Sequence, residues 1–108
     1  MSVTLRDAQH LCWKNFRMIH DKLDPERGKT WKPSVTVAEL AEKVREVDGV
    51  VKRLEEAGSS VNSEDREALA LGLSEIPYLV FVLAEHYGVE LEEAFMQAMN
   101  DYMLRFVK

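Results

Sequence analysis

The sequence predicts an all-α fold: a four-helix bundle forming a single domain over residues 1–108. Apolar residues recur at steps of three and four through most of the chain, and helix caps and glycine stops punctuate those runs. No stretch alternates apolar and polar residues as a half-buried strand would. At 108 residues, 46% hydrophobic, such a chain can bury about two thirds of its unfolded surface in one core.

The first helix starts at Thr4, whose hydroxyl can cap the helix while Asp7 completes a capping box. Its stripe Leu5, Ala8, Cys12, Phe16, Ile19 and Leu23 runs to about residue 23, with His10 and His20 off the stripe and read as solvated. Asp24 to Ser34, DPERGKTWKPS, with two prolines and a glycine, reads as a loop. As a connector it packs Trp31 over the bundle end. As a binding lip it offers Lys29 and Lys32 to an anion and Trp31 to a ring, and the connector is the favoured reading.

The second helix is expected to start at Thr36, with Glu39 completing a capping box and Val35 and Leu40 forming a hydrophobic staple. Its stripe is Val37, Leu40, Val44, Val47, Val51 and Leu54, and it stops at Ala57 with Gly58 as a left-handed cap. Gly49 inside it signals close packing or a lost side chain. After the polar loop Gly58 to Asn62, Ser63 caps a central helix. That helix carries Leu69, Leu73, Ile76, Val80, Leu83 and Tyr87 on one face, continues with a kink through Pro77, and ends at Gly88. Glu75 is the one acid within its apolar run. A carboxylate there needs a partner, a proton or a cation. The last helix, Leu91 to about Phe106, has a wide methionine-rich face that reads as core packing, with a subunit interface as the alternative.

The net charge of −5 and pI near 5.2 argue against nucleic acid or an anionic membrane as the main partner. Cys12 is the only cysteine, so no internal disulfide forms. The start MSVTLRDAQH lacks an apolar signal core, and the longest apolar run, Ile76 to Ala84, falls short of the roughly 20 residues that span a bilayer. The expectation is a cytoplasmic protein without membrane or nucleic-acid partners.

Two stretches carry a resemblance. GVELEEAFMQAMNDYMLRF and DPERGKTW resemble the turn-and-last-helix and the loop of the MazG-type all-α nucleotide pyrophosphohydrolase domain, and with the helices between them the likeness covers Lys22 to Phe106. The resemblance implies a Mg²⁺-dependent enzyme, with Mn²⁺ as the alternative ion, that cleaves a nucleoside triphosphate to monophosphate and pyrophosphate as a homodimer or homotetramer. Counting thirteen residues back from Gly88 reaches Glu75, where that family has an aspartate ligand, while its partner glutamate position is Gly72. On the acidic helix Glu46 remains, Asp48 or Glu42 could complete the shell, and the last glutamate position falls on Gly49 or Val50. The metal candidates are therefore Glu46, Glu75 and Asp48. Trp31, Lys29, Asn100 and Arg105 are the nucleotide candidates, and Tyr102 stands where a lysine is expected. With ligands missing, the expectation is a pyrophosphohydrolase of weak or altered activity; the alternatives are an inactive member serving as a nucleotide-binding or protein-interaction module, and a plain helical interaction domain.

Overall fold

The computed structural model describes residues 2–58 and 62–107. Among the described residues five α-helices follow one another: α1 (Leu5–Met18), α2 (Pro25–Thr30), α3 (Pro33–Ala57), α4 (Ser63–His86) and α5 (Leu91–Phe106), with a π-helical turn at Ile19–Leu23. No strand occurs among the described residues. The four long helices are those expected. The addition is α2, which lies in the stretch expected to be loop because Pro25 suits a first turn and Asp24 caps it by accepting from the Arg27 N–H at 3.3 Å. The chain divides into two compact units, residues 1–30 with 81–108, and residues 31–80.

In the first unit Thr4 caps α1 as expected, its hydroxyl accepting from the Asp7 N–H while the Asp7 carboxylate accepts from the Thr4 N–H. The Asn15–Phe16 turn of α1 then runs into the π-turn, in which the Asp24 N–H donates to the Ile19 carbonyl at 2.7 Å. One extra residue in a turn rotates the next stretch of helix by about 100°. The expected stripe is therefore broken at Leu23, which is exposed; His20, expected in solvent, is only 8% exposed because it lies four residues after buried Phe16 on the same helix face. His20 stacks on Phe16, and its Nδ1 lies 2.9 Å from the Phe16 carbonyl oxygen. Gly28 is required here: a Cβ on it would stand 2.1 Å from the His20 carbonyl oxygen. Trp13 also stacks on buried Phe16, and Val82 and Ala84 of α4 are buried in the same unit. At the end of α4 Gly88 has φ 70°, the Gly88 N–H donates to Glu85 and the Val89 N–H to Ala84. Those two bonds make the glycine stop a Schellman motif.

In the second unit α3 begins four residues before the expected cap. Lys32 is the N-cap and Pro33 the first helical residue, so Thr36 lies inside the helix, fully buried, with its hydroxyl accepting from the Trp31 indole N–H at 2.8 Å. The Thr36–Glu39 capping box is therefore not formed, because proline's fixed φ starts the helix earlier. The inward seam of α3 is Thr36, Leu40, Lys43, Val47, Val50 and Leu54, while Val37, Val44 and Val51 of the expected stripe are exposed. Opposite runs the first half of α4, antiparallel, since Arg53 meets Asp65, Val47 meets Gly72 and Lys43 meets Glu75. Asn62, one residue before the expected Ser63, caps α4 by accepting from the Asp65 N–H at 2.7 Å; the rest of the expected loop, residues 59–61, lies outside the described residues.

As expected, α4 continues through Pro77, but Leu73 and Tyr87 of its expected face are exposed while Gly72, Leu79 and Val82 are buried. Although it has no uninterrupted apolar run of bilayer length, α4 is 24 residues long and reaches a mean hydropathy of 1.6 over 18 of them, long and apolar enough to cross a membrane by length and composition alone. No residue of α5 is buried. Its expected core face is in solvent, with seven large apolar side chains from Phe95 to Phe106 between 41% and 72% exposed.

The two glycines of the acidic-helix pairing behave differently. A Cβ on Gly72 would lie 2.6 Å from Val47 Cγ2, a short branch that is stiff in a helix, whereas a Cβ on Gly49 meets only Arg53 Nη1 at 3.9 Å. Gly49→Ala is expected to stabilise by about 0.5–1 kcal/mol. Gly72→Ala should destabilise, since overpacking of about 1–3 kcal/mol outweighs the same helix-propensity gain. Urea unfolding of the two variants checks the opposite signs. Asp7 gives a pH expectation: the Thr4 N–H and then its hydroxyl hold the carboxylate below its ordinary range. Because the folded value is the lower one, the cap contributes fully above about pH 4 and is lost as the pH falls below it. The difference in Tm between the wild-type chain and Asp7→Asn should therefore shrink between pH 6 and pH 3.

Candidate functional site

Of the expected metal residues, Glu46 and Glu75 come together, and a lysine stands between them. Lys43, on the inward seam of α3, places Nζ 3.1 Å from Glu75 Oε2 and 3.6 Å from Glu46 Oε2. The three side chains are 27%, 32% and 53% exposed for Lys43, Glu75 and Glu46, so the pairing is partly shielded from water. The Lys43 ammonium is pushed above the ordinary lysine value, first by its hydrogen bond to Glu75 and then by the charge of Glu46, against the opposing cost of burial. Glu75 thus receives the partner that its apolar setting demands. Lys43 is not among the expected site residues; the available sequence signal was its place three residues before Glu46, on the same helix face.

Asp48 is not part of this group. Two residues beyond Glu46 it points about 200° around the helix, and it pairs with Lys52 at 2.9 Å. Glu42 pairs with Arg45 at 2.8 Å. Gly72, where a second α4 ligand would stand, is closed by Val47. Magnesium needs near-octahedral oxygen donors at about 2.0–2.1 Å. Two carboxylates already holding an ammonium between them do not fit that need, and no group of three or more histidine, cysteine or acidic side chains among the described residues is placed to hold a metal ion.

The nucleotide candidates are dispersed. Lys29 on α2 pairs with Glu26 at 3.1 Å, and Asn100 and Arg105 are exposed on α5. Trp31, in the other unit, is half-buried and donates its indole N–H to Thr36.

The first unit contains a different polar cluster. Gln9 of α1, only 5% exposed, donates from Nε2 to Glu85 Oε2 and to the Val89 carbonyl, both at 2.9 Å, and accepts from the Leu91 N–H at 3.1 Å. His10 Nδ1 lies 3.2 Å from Glu85 Oε1, and Arg6 pairs with Glu90. With Gly88 and Val89, the residues Gln9, His10, Glu85 and Glu90 line a hollow of about 190 Å³. That volume is below the roughly 300 Å³ at which small-molecule sites begin, and no nucleotide candidate lines it. The sequence signal for Gln9 was its spacing, four after Leu5 and seven before Phe16, which places it on the buried line.

No family model, curated protein or solved structure matches the chain.

The Gln9 carboxamide is expected to matter for folding. Gln9→Leu leaves the Leu91 N–H and the Val89 carbonyl without that partner and should cost about 2–3 kcal/mol in urea unfolding. His10→Leu, at an exposed ring, should change stability by no more than about 0.5 kcal/mol.

Proposed function

We propose that this chain is an assembly module on the MazG-like helical plan, that it pairs with a second copy through α5, and that it does not run metal-dependent nucleotide hydrolysis. The observation that carries the reading is the uncovered face of α5. Phe95, Met99, Tyr102 and Phe106 step along it by four, three and four, with Met96 and Met103 beside them. A contiguous apolar face of this kind, rimmed by charge, is a protein-binding feature, and aromatic and methionine side chains are the types enriched at interface centres. Charge argues for a second copy as the occupant. Glu93 lies in the first turn of α5, next to Glu92, which is 3.6 Å from Arg6, and Arg105 lies in its last turn. Packed antiparallel about a two-fold axis, each acidic end meets the other copy's Arg105, and the two helix dipoles oppose one another.

The absence of hydrolysis rests on the donor set: two carboxylates already paired to Lys43, Asp48 turned to Lys52, and Gly72 closed by Val47. A nucleotide lip at Lys29 and Trp31 is not supported by their contacts, which are internal.

Sedimentation at micromolar concentration is expected to give a species near twice 12.4 kDa. Met99→Asp places a charge at the centre of the face and should weaken association by about a hundredfold or more, with far-UV helicity retained. A chain that stays at 12.4 kDa throughout removes the assembly reading. Steady pyrophosphate release from nucleoside triphosphates with Mg²⁺ removes the claim that hydrolysis is absent.

A further inference from the structure

We infer that Lys43 is a tethered cation occupying the position between α3 and α4 where a divalent ion would otherwise sit, so that Glu46 and Glu75 serve as the two arms of an internal latch and this position is closed to Mg²⁺ and Mn²⁺. The inference deepens the proposed absence of metal-dependent hydrolysis, on whose donor set it rests, and does not depend on assembly through α5.

The seam places Lys43 there. Thr36, Leu40, Lys43, Val47, Val50 and Leu54 alternate steps of four and three, the spacing by which one helix faces an antiparallel partner. Every other member of this line is apolar or, as Thr36, fully buried. Lys43 is therefore a charged residue at a packing position, with Leu40 and Val47 one turn away on either side. Its ammonium reaches Glu75 across the seam and Glu46 along its own helix.

Charge then explains the exclusion. The ammonium offsets one of the two carboxylates, hydrogen-bonding to Glu75 at 3.1 Å and ion-pairing with Glu46 at 3.6 Å. A divalent ion could reach the same oxygens only by driving the ammonium out from between them, either into the apolar seam or to the surface with its stem withdrawn from Leu40 and Val47. The first leaves a shielded charge without a partner, and the second gives up packing. Neighbouring acids do not compensate, since Asp48 is held by Lys52 and Glu42 by Arg45. Gly72 adds no ligand because Val47 fills the space beside it.

The test is Mn²⁺ binding, read as loss of the free Mn²⁺ electron paramagnetic resonance signal, with no nucleotide present. The wild-type chain and Lys43→Arg, which keeps the charge, are expected to bind no stoichiometric Mn²⁺ at millimolar concentration. Lys43→Met keeps the length of the stem and removes the ammonium. It should bind one Mn²⁺ per chain at least about tenfold more tightly than the wild type, and the binding should disappear in Lys43→Met with Glu75→Gln, because two unpaired carboxylates are then reduced to one. Its melting temperature should be below that of the wild type without metal and rise on adding Mn²⁺. A folded Lys43→Met that binds Mn²⁺ no better than the wild type overturns the inference. So does a wild-type chain that takes up one Mn²⁺ lost in Glu75→Gln, and this arm decides even where Lys43→Met does not fold. Sedimentation reads the α5 assembly separately, so either conclusion can fail alone.

Discussion

The carboxamide of Gln9 is the interaction on which the first unit depends. A buried amide must satisfy both ends, and this one does so entirely with the turn between α4 and α5: the Glu85 carboxylate, the Val89 carbonyl and the Leu91 N–H. The Schellman turn at Gly88 exposes the groups it needs, because a left-handed residue reverses the chain and leaves Val89 and Leu91 facing α1. The Leu91 N–H is one of the unpaired donors at the start of α5, so Gln9 also acts as a cap supplied from another helix. The direction in which α5 leaves the turn is set by this bond. Arg6, pairing with Glu90 one turn earlier on α1, holds the same junction from its exposed side.

The second unit is held by a packed seam interrupted at one charged position. Val47 against Gly72 brings the helices as close as a missing Cβ allows, and Lys43 with Glu75 lies one turn further along. An ion pair in a seam of this kind adds little net stability, since its desolvation offsets much of its attraction. Its better-attested role is register. A one-turn slip of α4 past α3 would part Lys43 from Glu75 within the seam, so the pair penalises wrong alignments more than it rewards the right one.

Acidic composition and exposed apolar surface coexist here without conflict. The charge of −5 is distributed over helix faces and first turns, where carboxylates suit the helix dipole, while α5 concentrates its aromatic and methionine residues along one line. A net charge keeps chains apart in general, and the local apolar face with opposite charges at its two ends is the feature on which the proposed pairing rests.

The sequence by itself determined the features governed by contacts within about one helical turn. The Thr4–Asp7 cap, the stops at Gly58 and Gly88, the passage of α4 through Pro77 and the bounds of α5 all lie where residue chemistry places them. The pressure on Glu75 to find a partner was also legible, because one acid in an apolar run is costly in any fold. Only the tertiary structure decided which face of each helix turns inward. The seam of α3 passes through Thr36, Lys43 and Val50 rather than Val37, Val44 and Val51, a rotation of one residue that periodicity cannot distinguish, since both lines repeat at the same steps. That rotation put Lys43 beside Glu75, and a one-residue offset of the same kind in α1 puts His20, four residues after Phe16, on the buried line with Gln9. Gln9 became a structural centre only because α4 and α5 deliver their backbone groups to it. Helix ends are set by neighbours along the chain, whereas inward faces and polar partners are set by what packs against them.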